Sequence, residues 1–471
     1  MHFDEHFLRG ALPGVTVIKD HFPEDVTFSI DTRTLQQGDI FVALQGVRKD
    51  GHEFLEAALC AGAGGLLIRK EKRKILEAID QNLLEKKLVI AVDDTLQALT
   101  TLASVWRSQF DYPVVAITGS VGKTSTKQII SNILSLSGRE FLVSEGNQNT
   151  NIGLSLNILK MRSYHTAAVF ELGIARRGQM AKLADILQPT TALITGIGHC
   201  HMEGLGSLND IALEKRDVFK LFGEDSIGII NGDQPILAGV GYSHPIIKFG
   251  AKTTNQIQAR KIKAASDHVD FVLKIYKKKY KIRLPHVHSG AVFNSLAAVA
   301  VTHFLGIADD VIVRGIQSST TVKDRFEQCE LKDGKGVMIN DCYNANPESM
   351  KAALLALEQI DTDAQKIAVL GDMLELGVNS SFWHRQLGRF LRKVPSLKEV
   401  ILVGDMVEWT KKTVPLGVRA EIVPSWKDAV KKLKSKLADN NVVLVKASRG
   451  MHLENVVHHF AAQASKKQVI G

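Results

Sequence analysis

The residues with the clearest chemical purpose lie in Val114–Thr126, which reads VVAITGSVGKTST. An apolar run ends in a glycine turn, and a helical stretch starts at Lys-Thr. Gly119 and Gly122 let the backbone bend so that successive amides converge on phosphate oxygens, and the new helix adds its positive end. Lys123 is long enough to reach the β- and γ-phosphates, and the Thr124 hydroxyl is a ligand type for Mg²⁺. The usual loop of this kind has glycine six residues before the lysine. Here that position is Ile117, so the loop is of the shorter TGxxGKT form. Thr118, Gly119, Ser120, Val121, Gly122, Lys123, Thr124 and Ser125 are therefore expected to cradle the phosphates of ATP.

Three residues downstream extend this chemistry. Glu171 closes the apolar run Ala167–Leu172 in VFELG, where a carboxylate at the C-terminal end of a parallel strand faces the ligand crevice. His201 follows Ala192–Ile197 in TGIGHCHMEGLGS, and Lys215 lies in a helical stretch, IALEKRDVF, beside Glu214 and Asp217. Taken singly, Glu171 is also a capping carboxylate and Lys215 a surface lysine. His199-Cys200-His201 has zinc-ligand types, but neighbours on an extended chain face opposite ways and no second Cys/His pair stands at ligand spacing. The order of Glu171, His201 and Lys215 after a phosphate loop, each near a strand end or the helix that follows, makes them candidates.

Taken in order, the segments TGSVGKTS, GNQNTNIG (Gly146–Gly153), FELG, HMEGLGS and IALEK resemble the motifs of the Mur ligase family, which includes the folylpolyglutamate synthase branch. Its members join a carboxylate to an amine through an acyl phosphate made from ATP. The resemblance implies that Thr124, Glu171 and His201 bind Mg²⁺. It also implies that CO₂ carbamylates Lys215, creating a carboxylate for a second Mg²⁺. A hard cation takes oxygen ligands, which a free lysine lacks. By the same resemblance Asn294, in SGAVFNSLAA, lies near the adenine and Asp341, in INDCYNANPESM, holds the ribose. Arg325, in VKDRFE, reaches the γ-phosphate from a third domain, and Asn147 and Asn151 meet substrate. The chain departs from the family at Gly290 and Ala291, where His-Asn is usual, and at Gly196, where asparagine is.

Two further regions bear on the substrates. Ser29–Ile68 is similar to the domain that holds the UDP-muramoyl substrate in the two later-acting ligases. Ser29, Thr32 and Arg33 there offer hydroxyls and a guanidinium for a diphosphate, although they also suit a plain turn around QQGD. DCYNANPESM (Asp341–Met350), LGDMLELG (Leu370–Gly377) with His384, and VLVKASRGMHLENVV (Val443–Val457) are similar to the branch that adds D-alanyl-D-alanine. This implies a UDP-muramoyl tripeptide and D-alanyl-D-alanine as substrates, with Tyr343, Asn344, Asn346, Lys446, Ser448 and Arg449 among their contacts. Without the resemblance, Tyr343–Pro347 is a capped turn into a helix and Lys446–Arg449 a basic loop. Charge and spacing alone do not choose among peptide, glutamate and amino-acid nucleophiles. A sister ligase adding a diamino acid or glutamate, or a nucleotide-switch ATPase, would share the phosphate loop.

Positioning such a site takes a large scaffold. The chain has 471 residues, about three domains at roughly 150 residues each. With 45% hydrophobic and 23% charged residues it is no disordered, collagen-like or disulfide-scaffold protein. The first ninety or so residues read as short strands (Val26–Asp31, Asp39–Leu44, Gly65–Arg69) around a helical Gly51–Gly62. Leu88–Val92 and a helix over Asp94–Phe110 follow. Then apolar strands Val114–Thr118, Ala167–Leu172 and Ala192–Ile197 alternate with helices Thr124–Leu136 and Gln179–Ile186, the mark of a parallel, doubly wound sheet. A β-like stretch Ile257–Leu284 and a helix Val292–Phe304 come next. The last third alternates again through Gly336–Asp341, Pro347–Gln359, Lys366–Leu370, His384–Leu391, Glu399–Val403 and Val442–Lys446. The expected architecture is α/β in three domains. Residues 1–93 form a small mixed α/β domain for the UDP-muramoyl peptide. Residues 94–320 form a central P-loop domain with a doubly wound, mostly parallel sheet for ATP. Residues 321–471 form a Rossmann-like C-terminal domain that binds the incoming dipeptide and closes on ATP.

Lys and Arg number 59 against 50 Asp and Glu, a net charge of +9. This suits anionic small substrates at least as well as nucleic acid. The basic stretches Arg69–Lys74, Lys277–Arg283 and Lys427–Lys436 are short and interleaved with apolar residues, and read as solvated faces. Cys60, Cys200, Cys329 and Cys342 form no CxxC pair, which fits a reducing cytoplasm. No signal pattern opens the chain, and no apolar run reaches the ~18 residues of a membrane span. The expectation is a cytoplasmic monomer acting on small molecules, without nucleic-acid or membrane partners.

Overall fold

Within each strand, successive side chains point to opposite faces, so a fully apolar strand feeds two cores. The computed structural model, which describes residues 3–265, 267–285, 289–332, 336–360, 362–437 and 441–461, shows this parity in three sheets. In the central strand Val114–Thr118, Val114 and Ala116 enter one core while Val115 and Ile117 enter another. In Leu397–Val403 of the last sheet, Val400 and Leu402 separate in the same way from Ile401 and Val403.

The first sheet has the order Thr16–Asp20, Leu88–Val92, Gly65–Arg69, Ile40–Val42, Phe28–Ser29. The outer strand Thr16–Asp20 is antiparallel to its neighbour. The central sheet runs Phe141–Val143, Ala167–Glu171, Val114–Thr118, Thr191–Ile194, Ile227–Asn231, Ile246–Gly250 and Ile257–Ala264, all parallel. It ends in an antiparallel meander, Val269–Ile275 and Lys278–Leu284. The third sheet has the order Glu327–Glu330, Gly336–Asn340, Asn441–Lys446, Gln365–Gly371, Leu397–Val403, Arg419–Val423, and only its first strand is antiparallel. Among the described residues no helix is long and apolar enough to cross a membrane.

Several elements depart from the sequence expectation. Val26–Asp31 and Asp39–Leu44 shrink to Phe28–Ser29 and Ile40–Val42. Gly51–Gly62 splits into a 3-10 turn, Gly51–Phe54, and a helix, Leu55–Cys60. The strands Thr16–Asp20 and Arg419–Val423 are edges with little burial, so they need no apolar run. Ile227–Asn231 is interrupted by Gly228, where a side chain would strike Ile246 and His244 of the adjoining segment.

The helix Thr95–Arg107 joins the first two sheets. Its Leu99 and Trp106 share one continuous core with Ile40 and Leu67 of the first sheet and Phe170 of the second. Trp106 packs edge-on against Phe7 and Phe110 and donates its indole N–H to Met161 O at 3.1 Å. The third sheet has its own two cores. Trp106→Ala should therefore lower stability by about 3–5 kcal/mol, read by chemical denaturation, with the first two sheets losing structure in one transition.

Candidate active site

The phosphate loop leaves the middle of the central sheet, and the adjoining strand end laces it in place. Ser120 N–H donates to Gly196 O at 2.8 Å and its hydroxyl to Gly198 O at 3.0 Å, while the Thr195 hydroxyl donates to Val121 O at 2.6 Å. Gly119 (φ +147°) and Gly122 (φ +88°) have backbones that side chains rarely adopt. There is also no room, because a Cβ would overlap Thr195 Oγ1 at the first and Asn294 Oδ1 at the second. Gly122 opens the helix Lys123–Ser135. Lys123 Nζ folds back on Gly119 O at 2.9 Å, and the Thr118 hydroxyl is buried without a hydrogen-bond partner. Thr195 and Gly198 escape sequence reading, and Gly196 shows there only as a departure from the family, because their purpose is to hold another segment.

Glu171 ends its strand beside the loop. Its Oε1 accepts from the Thr124 hydroxyl at 3.2 Å and from Asn149 Nδ2 at 3.0 Å. Its Oε2 is buried without a hydrogen bond, 3.8 Å from Lys127 Nζ. Lys127 donates to Ser144 O at 2.8 Å and Gly146 O at 2.6 Å, and burial holds its amine below the usual lysine range. A hydroxyl beside a carboxylate with one free, buried oxygen is a hard donor set that fits Mg²⁺. Asn149 stands between the two asparagines singled out in the sequence, and only packing shows that it is the one holding Glu171. Asn151 opens the helix Asn151–Ile158 and lines a cavity with Lys123, Glu171, His201 and Arg325. Asn147 is exposed at a groove on the other side of Thr124, which Arg449 also lines.

His201 sits in a left-handed turn (φ +51°), with Nδ1 against Glu375 Oε2. That contact holds the Glu375 carboxyl below its ordinary range. Among the described residues no three His, Cys, Asp or Glu side chains gather as a metal set. Lys215 lies in the helix Leu208–Arg216 and is 1% exposed. Burial brings its amine down to about 8; Cys200 draws it back up, and Lys123 pushes it further down. The neighbouring Glu214 is committed elsewhere, to the N–H groups of Gly178 at 2.8 Å and Met180 at 2.9 Å.

The third sheet completes the cleft. Arg325 stacks on the Tyr343 ring at 3.8 Å and donates from Nη2 to the Thr124 hydroxyl at 3.3 Å, and its buried Nε has no partner. Asp341, Tyr343 and Asn344 line a cavity of about 190 Å³ together with Ser120, Lys123 and Asn294. Lys446 also borders it, but its amine is paired with Asp341 Oδ2 at 2.7 Å and donates to Asn344 O at 3.0 Å. Asn346 caps the helix Pro347–Gln359 by accepting from Ser349 N at 2.8 Å. Ser448 accepts from Leu374 N at 2.9 Å and donates to Ala345 O at 3.3 Å, and Arg449 lies 3.4 Å from Asp324. The GDMLELG segment is likewise a brace. Asp372 accepts from the N–H groups of Asp405, Met406 and Val407, and buried His384 accepts from Met373 N at 3.1 Å. Ser29, Thr32 and Arg33 form a turn around Asp31, whose carboxyl Arg33 lowers to about 2. They line none of the three cavities that touch the phosphate loop.

His199 makes a second link to the third sheet. Its N–H and Nδ1 meet one carboxylate, that of Glu348, at 2.9 and 2.5 Å, and its ring lies 4.2 Å from that of Trp383.

Three family descriptions match consecutive parts of the chain: the Mur ligase catalytic domain over residues 27–107, the Mur ligase middle domain over 117–302, and the Mur ligase glutamate ligase domain over 324–449. The chain is 33% identical over 432 residues to the UDP-N-acetylmuramoyl-tripeptide–D-alanyl-D-alanine ligase of Bacillus subtilis, covering 91% of each chain. Its fold is similar to a crystal structure of MurF from Acinetobacter baumannii, with a TM-score of 0.83 and 28% identity over 98% of each chain. The MurF ligase of Thermotoga maritima in complex with ADP superposes with a TM-score of 0.78 at 27% identity, over 94% of this chain and 98% of the other.

Gly122→Ala should weaken ATP binding at least tenfold, because the left-handed backbone alone costs about 1–2 kcal/mol and the methyl group also strikes Asn294. Isothermal titration with ATP measures this, and an unchanged melting temperature shows that the loss is local.

Proposed function

The chain belongs to the Mur ligase family, and from that premise we propose that it is the ATP-dependent, ADP-forming ligase that joins D-alanyl-D-alanine to a UDP-N-acetylmuramoyl tripeptide, giving the pentapeptide precursor of peptidoglycan. The observation that carries this reading is Arg325, which crosses from the third sheet to the phosphate-loop hydroxyl of Thr124. ATP bound on Thr118–Ser125 then lies where two parts of the chain meet. Residues 1–93 hold the UDP-muramoyl end, 94–320 hold ATP, and 321–471 bring the dipeptide.

The tripeptide carboxylate attacks the γ-phosphorus, and the bond from that phosphorus to the β–γ bridging oxygen breaks to release ADP. Lys123 and Arg325 spread the charge that builds on the transferring phosphoryl group. Mg²⁺, held by Thr124 and Glu171, supplies Lewis-acid stabilisation of the same oxygens when bound. The dipeptide amine then attacks the acyl carbon, the C–N bond forms, inorganic phosphate departs and the amine gives up its proton. Closure of the third region over the cleft keeps water from the acyl phosphate. Lys123 must first leave Gly119 O to reach phosphate.

As its carbamate, Lys215 would hold a second Mg²⁺ together with His201, and that ion would add Lewis-acid stabilisation of the transferring phosphoryl group. A buried amine next to Lys123 supports this reading: carbamylation replaces two like charges in a dry site with an opposite pair. Lys215→Ala should lose activity and regain part of it with added short-chain carboxylates. Full activity without them excludes the carbamate. Because the neutral amine is the CO₂ acceptor, recovery of CO₂-stripped enzyme at a fixed concentration of dissolved CO₂ should quicken as pH rises towards about 8 and level off above it.

The reaction itself is tested by ATP-dependent product formation from the UDP-muramoyl tripeptide with D-alanyl-D-alanine, meso-diaminopimelate, lysine or glutamate offered separately. Only the dipeptide should be consumed, and Arg325→Ala should lower kcat by about 10²–10³-fold. Consumption of a single amino acid instead would assign a sister ligase.

A further inference from the structure

The basic stretch Lys277–Arg283 is, in the fold, the outer part of the meander that ends the central sheet, and other cations stack beside it. Residues 257–284 hold nine Lys and Arg against two Asp, a net +7 within a chain of net +9. One face of the meander, with Phe271, Leu273 and Ile282, is buried in the core shared with the helix Ser289–Phe304. Strand parity sends Arg260, Lys263, Lys274, Lys279 and Lys281 to the opposite face. Lys274 lies directly across from Lys279, and Val272 lies between Arg260 and Lys281.

Among the described residues the ion pairs of the meander are Lys278 with Asp309, Arg283 with Asp270, and His268 with Asp267 and Asp270. Arg283 shares the outward face but is paired with Asp270 on it; the other five outward cations take part in none of these pairs. Lysines on an edge strand guard against edge-to-edge pairing, but Lys274 stands on a strand that is hydrogen-bonded on both sides. Like charges directly opposite each other weaken a sheet, so the Lys274–Lys279 pair costs stability where it stands.

We infer that this face is a peripheral docking surface for an anionic lipid membrane. The five cations sit over lipid headgroups, and Ile262, at the bulge between Arg260 and Lys263, is 36% exposed. Unpaired cations with an exposed apolar side chain among them suit the headgroup layer. Tyr276, at the hairpin tip, instead packs its ring on His303 of the helix on the core side. A nucleic acid would ask for a cationic groove or rings that stack on bases, whereas this face is a flat sheet with no outward aromatic ring. The cationic strands lie four to six strands from Val114–Thr118, roughly 19–29 Å at strand spacing, so docking leaves the phosphate loop open. The inference rests on the fold and not on the proposed reaction.

The test is co-sedimentation of the full chain with phosphatidylcholine vesicles, with and without phosphatidylglycerol. The wild type should bind only the anionic vesicles and release with salt. Each cation contributes about fivefold to membrane partition, so the triple variant Lys274→Glu, Lys279→Glu, Lys281→Glu should bind at least a hundredfold more weakly. Its ATP-dependent ligation should match the wild type, which also shows that it is folded; the Lys→Gln triple serves if it is not. Ile262→Ser should weaken binding without altering its salt dependence. Equal binding by wild type and triple variant, equal binding to neutral vesicles, or tighter binding to a DNA duplex than to anionic vesicles overturns the inference.

Discussion

The site depends on a loop that has no room for side chains. Gly119 and Gly122 carry backbone angles that only glycine adopts freely, and each is pressed against a polar side chain from another segment. Thr195 and the carbonyls of Gly196 and Gly198 hold the loop from one side, and Asn294 closes on it from a distant helix. Glu171 is oriented in the same way, by Thr124 and Asn149. All of these contacts gather at the C-terminal ends of the central strands, where a parallel sheet opens its crevice.

The remaining parts of the chain are joined to that sheet in two ways. The first sheet shares a continuous apolar core with it through Thr95–Arg107. The third sheet keeps its own cores and meets the site mainly through polar contacts: Arg325 to Thr124, Glu348 to His199 and Glu375 to His201. Partly exposed ion pairs are worth about 0–1 kcal/mol each. Separating that seam would uncover little apolar surface beyond Met202, whereas separating the first two sheets would open a shared core. The chain therefore has one joint fused by apolar packing and one held mainly by polar contacts.

Charge is distributed in a way that bulk composition hides. The excess of +9 suits polyanionic substrates when read as a total, yet most of it lies on the outer meander, far from the phosphate loop. At the cleft the cations are few and individually held. Lys446 is bound to Asp341, Lys127 to backbone carbonyls, Arg325 to Tyr343 and Thr124, and Lys215 is buried.

Local spacing was enough to read the phosphate loop, the carboxylate at the end of Ala167–Glu171, the helix of Lys215 and the α/β class, because each is written within a few turns of chain. Partners far apart in sequence were not legible. His199 and Glu348 are separated by 149 residues, and His201 and Glu375 by 174. Asn147, Asn149 and Asn151 are alike in type and spacing, and only the packing of Glu171 selects the middle one. Asn346 and Ser448 read as ligand contacts; only the structure shows that their hydrogen bonds go to a helix end and to loops, and that Asn346 also lines the cleft. Sequence by itself determined which groups were present and which way each strand's residues alternate. The tertiary structure decided which of those groups meet, because hydrogen bonds form at about 3 Å and only the packing of the sheets brings distant segments so close.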